Sequence, residues 1–167
     1  LASLMQTGGD LKKSNVISRL AEEVGLMIRG VTKDPSYLPN ALRDPAMEHF
    51  KYVDPSMLPE DAPNNALAAE CHSFGRVFSN AWYAIFVRIF EYHSRTMSPI
   101  AAFKAARDAS FSMMMHAIPA SPRVSNYYSA VAKSMVVVAK DKSKEYGDIV
   151  SSVFTEWNIL KSSDLKI

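Results

Sequence analysis

From Phe74 to Ile89 the apolar residues hold a helical period: Phe74, Val77, Phe78, Trp82, Ile85, Phe86 and Ile89 fall on one stripe, with Arg76, Arg88 and Glu91 off it. A stripe sustained for about four turns has no counterpart in the period-two alternation of a strand. It predicts the longest core helix of the chain, starting within a few residues of His72 and running to about Tyr92, with the Trp82 ring buried. The stretch just before it has the opposite character. Six prolines (Pro35, Pro39, Pro45, Pro55, Pro59 and Pro63) fall between Asp34 and Pro63, a density that excludes long helices and predicts a loop region over residues 31–65. A loop of that length is usually functional.

The remaining segments also read as helices. Ser98-Pro99 is an N-cap and first-turn pair, and the helix it opens is expected to turn Ile100, Phe103, Ala106, Phe111 and Met114 inward until Pro119 stops it. A third helix follows Ser121-Pro122 and carries Val124, Tyr128, Val131, Met135 and Val138. The last runs from about Lys144 to Leu160 with Ile149, Val150, Val153, Phe154 and Trp157 on one side. Before the loop region, Ser14 to Ile28 reads as a shorter helix aligning Val16, Leu20, Val24 and Met27. The expectation is therefore an all-α bundle of about five helices in one domain spanning 1–167, with a flexible arm over 1–13, the Pro-rich loop over 31–65 and the main bundle over 66–160.

Composition narrows the function classes. Apolar residues make up 48% and charged residues 22%, the balance of a chain that buries a core. Nineteen basic against seventeen acidic residues leave a charge of +2, and no Lys or Arg run forms a phosphate-binding stripe, so no nucleic-acid partner is expected. The longest uncharged apolar stretch of the best helix, Val77 to Val87, falls well short of the ~20 residues that span a bilayer, so no membrane partner is expected. Cys71 is the only cysteine, which excludes an internal disulfide. Residues Leu1 to Asp10 show no signal-peptide pattern, and a start at Leu1 rather than Met reads as a fragment.

Catalytic motifs are sparse. The common zinc-protease signature, H-E-x-x-H, sets two His one helical turn apart so that both rings face one metal. The four histidines here are His49, His72, His93 and His116, and the closest two, His72 and His93, are 21 residues apart. A Gly-rich phosphate loop, a C-x-x-C pair and a G-x-S-x-G elbow are also absent. His93, His116 and the run Met113-Met114-Met115 read as helix-surface and core-edge residues, and Lys140 to Glu145 as a solvated turn.

The order of features around His72 says more. Ala41-Leu42-Arg43-Asp44-Pro45, then roughly 25 residues of Pro- and Asn-rich loop, then Cys71-His72-Ser73-Phe74-Gly75 entering a helix with Asn80 and Tyr83, resembles the thermolysin-like and fungalysin-like zinc peptidases. The likeness continues through Met97-Ser98-Pro99 with Phe103, Ala105, Ala106 and Ala109, and through Tyr146-Gly147, Ile149, Val150, Phe154 and Ile159-Leu160. It implies the helical C-terminal lobe of such an enzyme, with zinc as the cofactor of the intact enzyme and a peptide or protein as substrate. An N-terminal catalytic part of the same protein would bring the H-E-x-x-H helix, and this chain alone would hold no zinc. His72 matches the His that donates to the oxyanion formed on attack of the peptide carbonyl, and Arg43 the Arg that binds a substrate carbonyl. The resemblance also implies a secreted or cell-envelope location.

Departures accompany the matches. Where those families place the Glu that completes the zinc site and a following Asp, this chain has Asn15 and Arg19; Glu22 or Glu23 would serve in another register. The acidic residue that orients the His would be Glu70 or Asp61, neither at the family spacing. A degenerate member kept as a binding module, or an unrelated helical interaction domain, are the alternatives. The peptidase reading requires His72 at the start of its helix with an accessible ring, and Arg43 on the same concave surface.

Overall fold

A computed structural model describes residues 2–39 and 41–165. The fold is all-α. Among the described residues there are six α-helices, α1 (Ala2–Thr7), α2 (Glu22–Thr32), α3 (Cys71–His93), α4 (Pro99–Ala120), α5 (Tyr127–Lys142) and α6 (Lys144–Glu156), and no strand. The chain divides into two compact units, residues 1–83 and 84–167, the boundary falling inside α3.

In the first unit, α1 is followed by turns that bury Leu4 and Leu11. The helix expected over Ser14–Ile28 begins only at Glu22. The reason is local competition: the Asn15 side-chain oxygen accepts from the backbone N–H groups of Ile17 and Ser18, and the Asn15 N–H donates to the Ser18 hydroxyl. Asn and Ser side chains that capture the backbone in this way favour turns over helix. Leu20 then forms an antiparallel bridge with Arg43, its N–H donating to the Arg43 carbonyl at 2.8 Å. The expected apolar alignment of Val16, Leu20, Val24 and Met27 is mostly solvent-facing, because α2 buries only Gly25.

The Pro-rich region contains a single short 3-10 turn, Pro55–Met57, capped by Asp54, among the described residues. Its order comes from side chains. Asp34 accepts from the Ser36 N–H at 2.8 Å and the Ser36 hydroxyl at 2.7 Å, bonds that lower its pKa, backbone bond first. The Ser36 oxygen in turn accepts from the Asn64 N–H at 3.0 Å, which links the two ends of the loop.

α3 is the longest helix, at 23 residues, and covers the expected span. Of its expected stripe, Val77, Ile85, Phe86 and Ile89 are buried, while Phe74, Phe78 and Trp82 are half-buried. Ala81, Tyr83, Val87 and Phe90 are buried as well, so more than one face is covered. Trp82→Ala is accordingly expected to cost less than the ~3–5 kcal/mol of a fully buried ring.

In the second unit, Ser98 caps α4, with Pro99 as the first helical residue. The expected inward face is rotated: Ala102, Ala106, Ser110, Met113 and Ala117 are buried, whereas Ile100 and Phe111 are exposed. Small side chains allow closer approach of neighbouring helices, so the buried face follows them rather than the large apolar residues. Phe103 stays half-buried and meets Phe86 edge-on at 5.5 Å and Phe90 at 6.4 Å. α5 starts at Tyr127 behind the cap Asn126, five residues after Pro122, which leaves Val124 outside and exposed. Ser143 both ends α5 and caps α6. The corner is tight, since a Cβ on Gly147 would lie 2.7 Å from Lys140 Cγ. α6 stops at Glu156 rather than Leu160, where Asn158 turns to φ 58° and the Ile159 and Leu160 N–H groups fold back on the Phe154 carbonyl.

Two glycines of α2 give opposed predictions. Replacing an exposed mid-helix Gly by Ala normally gains up to ~1 kcal/mol, and Gly30 has nothing within 4 Å of where a Cβ would sit. At Gly25 that Cβ would lie 2.3 Å from the backbone carbon of Ala41 and the backbone nitrogen of Leu42, which cannot rotate away. In denaturant titrations Gly30→Ala is expected to raise the midpoint. Gly25→Ala is expected to lower it, by an overpacking cost of about 1–3 kcal/mol.

Candidate functional site

The candidate site is the first turn of α3. His72 is its second residue and its ring is exposed, as are Glu70 and Cys71 beside it. The turn itself is pinned by Ser73, 3% exposed, whose oxygen accepts from the Ala68 N–H at 3.0 Å and whose hydroxyl reaches Glu70 Oε1 at 3.5 Å. One carboxylate oxygen of Glu70, the Cys71 sulfur and one ring nitrogen of His72 all lie within 4.8 Å of one another. Of Glu70 and Asp61, Glu70 has its carboxylate within 4.8 Å of a His72 ring nitrogen. It makes no hydrogen bond to the ring.

One turn further on, the chemistry changes from exposed to buried. Arg76 is 6% exposed. Its Nη2 donates to Glu48 Oε1 at 2.5 Å and to the Asn64 carbonyl at 2.6 Å, its Nη1 reaches the Ala66 carbonyl at 3.5 Å, and its guanidinium lies 4.2 Å from the Phe50 ring centre. Asn80, one turn beyond, donates to the Glu48 carbonyl at 2.8 Å. Another turn along, the Tyr83 hydroxyl donates to the Leu11 carbonyl at 2.8 Å and accepts from Asn15 Nδ2 at 2.7 Å. Burial, above all, pushes the Tyr83 phenol pKa up. Three successive turns of one helix thus hold the loop and the N-terminal segment of the first unit. The apolar stripe marks Arg76 only as a residue off the core face. Its partner Glu48 is 28 residues away, and no local pattern announces a pair so separated.

Arg43 sits in the bridge to Leu20 and is half-buried. Asp44, its neighbour, accepts from the Ser14 hydroxyl and the Ala46 N–H. Among the described residues the Arg43 guanidinium has no hydrogen bond or ion pair, and none joins it to His72. Two concavities border this part of the first unit. One, of about 270 Å³, is walled by Tyr37, Asp61, Asn64, Glu70, Ser73 and Arg76. The other, of about 410 Å³, lies over Leu38, Met47, His49 and Phe50. Neither Arg43 nor His72 lines either of them.

Asn15 and Arg19 do not fit a zinc site. Asn15 is fully buried with its amide nitrogen on the Lys13 carbonyl and Tyr83, its oxygen on two N–H groups, and Arg19 pairs with Glu22. The one group of described residues with metal-ligand chemistry is Glu70, Cys71 and His72. His93 and His116 serve structural bonds, His93 to the Tyr146 hydroxyl at 2.6 Å and His116 to the Ser112 carbonyl at 2.7 Å.

The Arg76–Glu48 pair makes a prediction that separates ion pairing from packing. Removing one partner strands the other charge in a buried place, a loss of about 3–5 kcal/mol, and both side chains are under a tenth exposed. Glu48→Ala is expected to show that loss in a urea titration, while the double replacement Arg76→Met with Glu48→Leu recovers only part of it, because the Asn64 and Ala66 carbonyls lose their donor. Compared with protein-family models, curated proteins and solved structures, the chain matches none of them.

Proposed function

We propose that this chain is the C-terminal helical lobe of a zinc-dependent endopeptidase of thermolysin-like type, a wall of the substrate cleft to which His72 contributes. The observation that carries the reading is the placement of His72: an accessible imidazole on the first turn of the longest helix, whose next turns are locked by Arg76, Asn80 and Tyr83. A hydrogen-bond donor helps catalysis to the extent that it is preset where negative charge develops, and one such donor is worth about 3 kcal/mol of barrier. Here the backbone that carries the ring is fixed, and the ring is open to a ligand. Its N–H would donate to the oxyanion that forms when a peptide carbonyl is attacked. Arg43, whose guanidinium has no hydrogen bond or ion pair among the described residues, would bind a neighbouring carbonyl of the same peptide.

The surface of α2 supports a larger assembly. Val24, Leu26, Met27 and Val31 stand exposed, Met27 at 62% and Val31 at 79%, on a helix that buries only a glycine. An apolar face of this kind is normally covered, and the N-terminal catalytic part of the same protein is the cover this reading requires. That part would also provide the zinc-binding residues. The residues of this chain at the expected ligand position do not provide one, and no step is assigned to them.

Asn15 favours a second reading, a lobe retained for peptide binding without hydrolysis, because a structural amide stands where a ligand carboxylate is expected. The two readings separate in the intact protein. The peptidase reading predicts peptide cleavage abolished by a chelator and restored by zinc, with His72→Ala lowering kcat by about a hundredfold or more and leaving KM within a few-fold. Wild-type turnover in His72→Ala would reduce the residue to a structural role. Peptide binding with no cleavage at any zinc concentration would establish the non-hydrolytic lobe instead.

A further inference from the structure

We propose that Glu70, Cys71 and His72 form a surface site for a thiophilic divalent cation such as Zn²⁺ or Cd²⁺, separate from any catalytic zinc that another part of the enzyme would hold. The three residues supply three different donors, a carboxylate, a thiol and an imidazole, with ligand atoms within 4.8 Å of one another. Around a tetrahedral ion with bonds of about 2.0–2.3 Å, ligand atoms stand roughly 3.5 Å apart. All three side chains are exposed, so small rotations close the difference without disturbing the core.

The donor set points to the class of ion. A sulfur and an imidazole select zinc-like ions over calcium or magnesium, which take oxygen ligands. Cys71 is the first residue of α3, so its sulfur sits at the open end of the helix beside Glu70 and His72. The same end of the helix disfavours a cation, but that effect is modest and the Glu70 carboxylate opposes it. On binding, the Cys71 thiol loses its proton to solvent, the ion keeps water at its fourth position, and nothing is oxidised. The Ser73 hydroxyl, 3.5 Å from Glu70 Oε1, orients the carboxylate from behind. Occupation also takes His72 out of use as a free imidazole. The binding itself stands whether or not the peptidase reading holds.

The experiment is titration of the full chain with Cd²⁺ under a non-thiol reductant, reading the thiolate-to-metal charge-transfer band in the ultraviolet, with Zn²⁺ as competitor. The expected result is one ion per chain in the micromolar range. Cys71→Ser is expected to abolish the band. His72→Ala and Glu70→Gln are each expected to keep it but weaken affinity about tenfold or more. Because the side chains are exposed, circular dichroism of each variant is expected to match the parent. Absence of a saturable band would overturn the proposal. So would a band whose affinity is unchanged in both His72→Ala and Glu70→Gln, since that describes a lone thiol.

Discussion

The Arg76 guanidinium, buried against Glu48 and above Phe50, organises the first unit of this protein. Taking two charges out of water costs several kcal/mol for each ion, and one good contact does not repay it. Here the repayment is shared. Two backbone carbonyls, Asn64 and Ala66, accept from the same side chain, and the ring of Phe50 lies under it. The deeper reason for the arrangement is the composition of the loop it holds. A segment with six prolines lacks the donors for a regular ladder, yet its partly buried carbonyls still need partners. Arg76 and Asn80 supply those partners from a rigid helix, so the loop is ordered from outside itself. Such a pair contributes more to choosing one loop arrangement than to net stability.

The second unit is built on a different principle. There the buried surfaces of α4 and α5 are rich in alanine and serine, as at Ala102, Ala106, Ser110, Ala117, Ala130, Ala132 and Ala139. Small residues bury little apolar area each, and their advantage is geometric, because helix axes approach closely and larger side chains such as Met113, Met135 and Phe154 fill the space that remains. The connections are correspondingly short. A single serine joins α5 to α6, and a glycine at the facing position leaves room for the Lys140 side chain.

The proposed site lies where these constraints stop. Residues 70–72 precede the first anchored turn of α3 and carry three reactive side chains in water, while Ser73 and Arg76 immediately behind them are buried. A rigid support with an exposed, chemically mixed edge is the arrangement that binding and catalysis require of a scaffold. The loop ordered by Arg76 forms the remaining wall of the concavity beside it.

Helical periodicity in the sequence determined the fold class, the extent of α3, the caps at Ser98 and the helix-poor character of the Pro-rich region. These are local properties: period, capping and the missing N–H of proline act within a few residues. The sequence also marked His72 as a helix-start residue, and it is one. What only the tertiary structure decided involves distant partners. The bridge from Leu20 to Arg43 holds residues 14–20 out of the helix that the pattern of Ser14–Ile28 predicts, adding a distant partner to the local Asn15–Ser18 turn. Small side chains, not the large ones, mark the buried face of α4. Arg76 turns inward because Glu48 and two loop carbonyls meet it there. A residue's propensity is written in its own neighbourhood, but whether a charge is buried depends on which groups the folded chain brings against it.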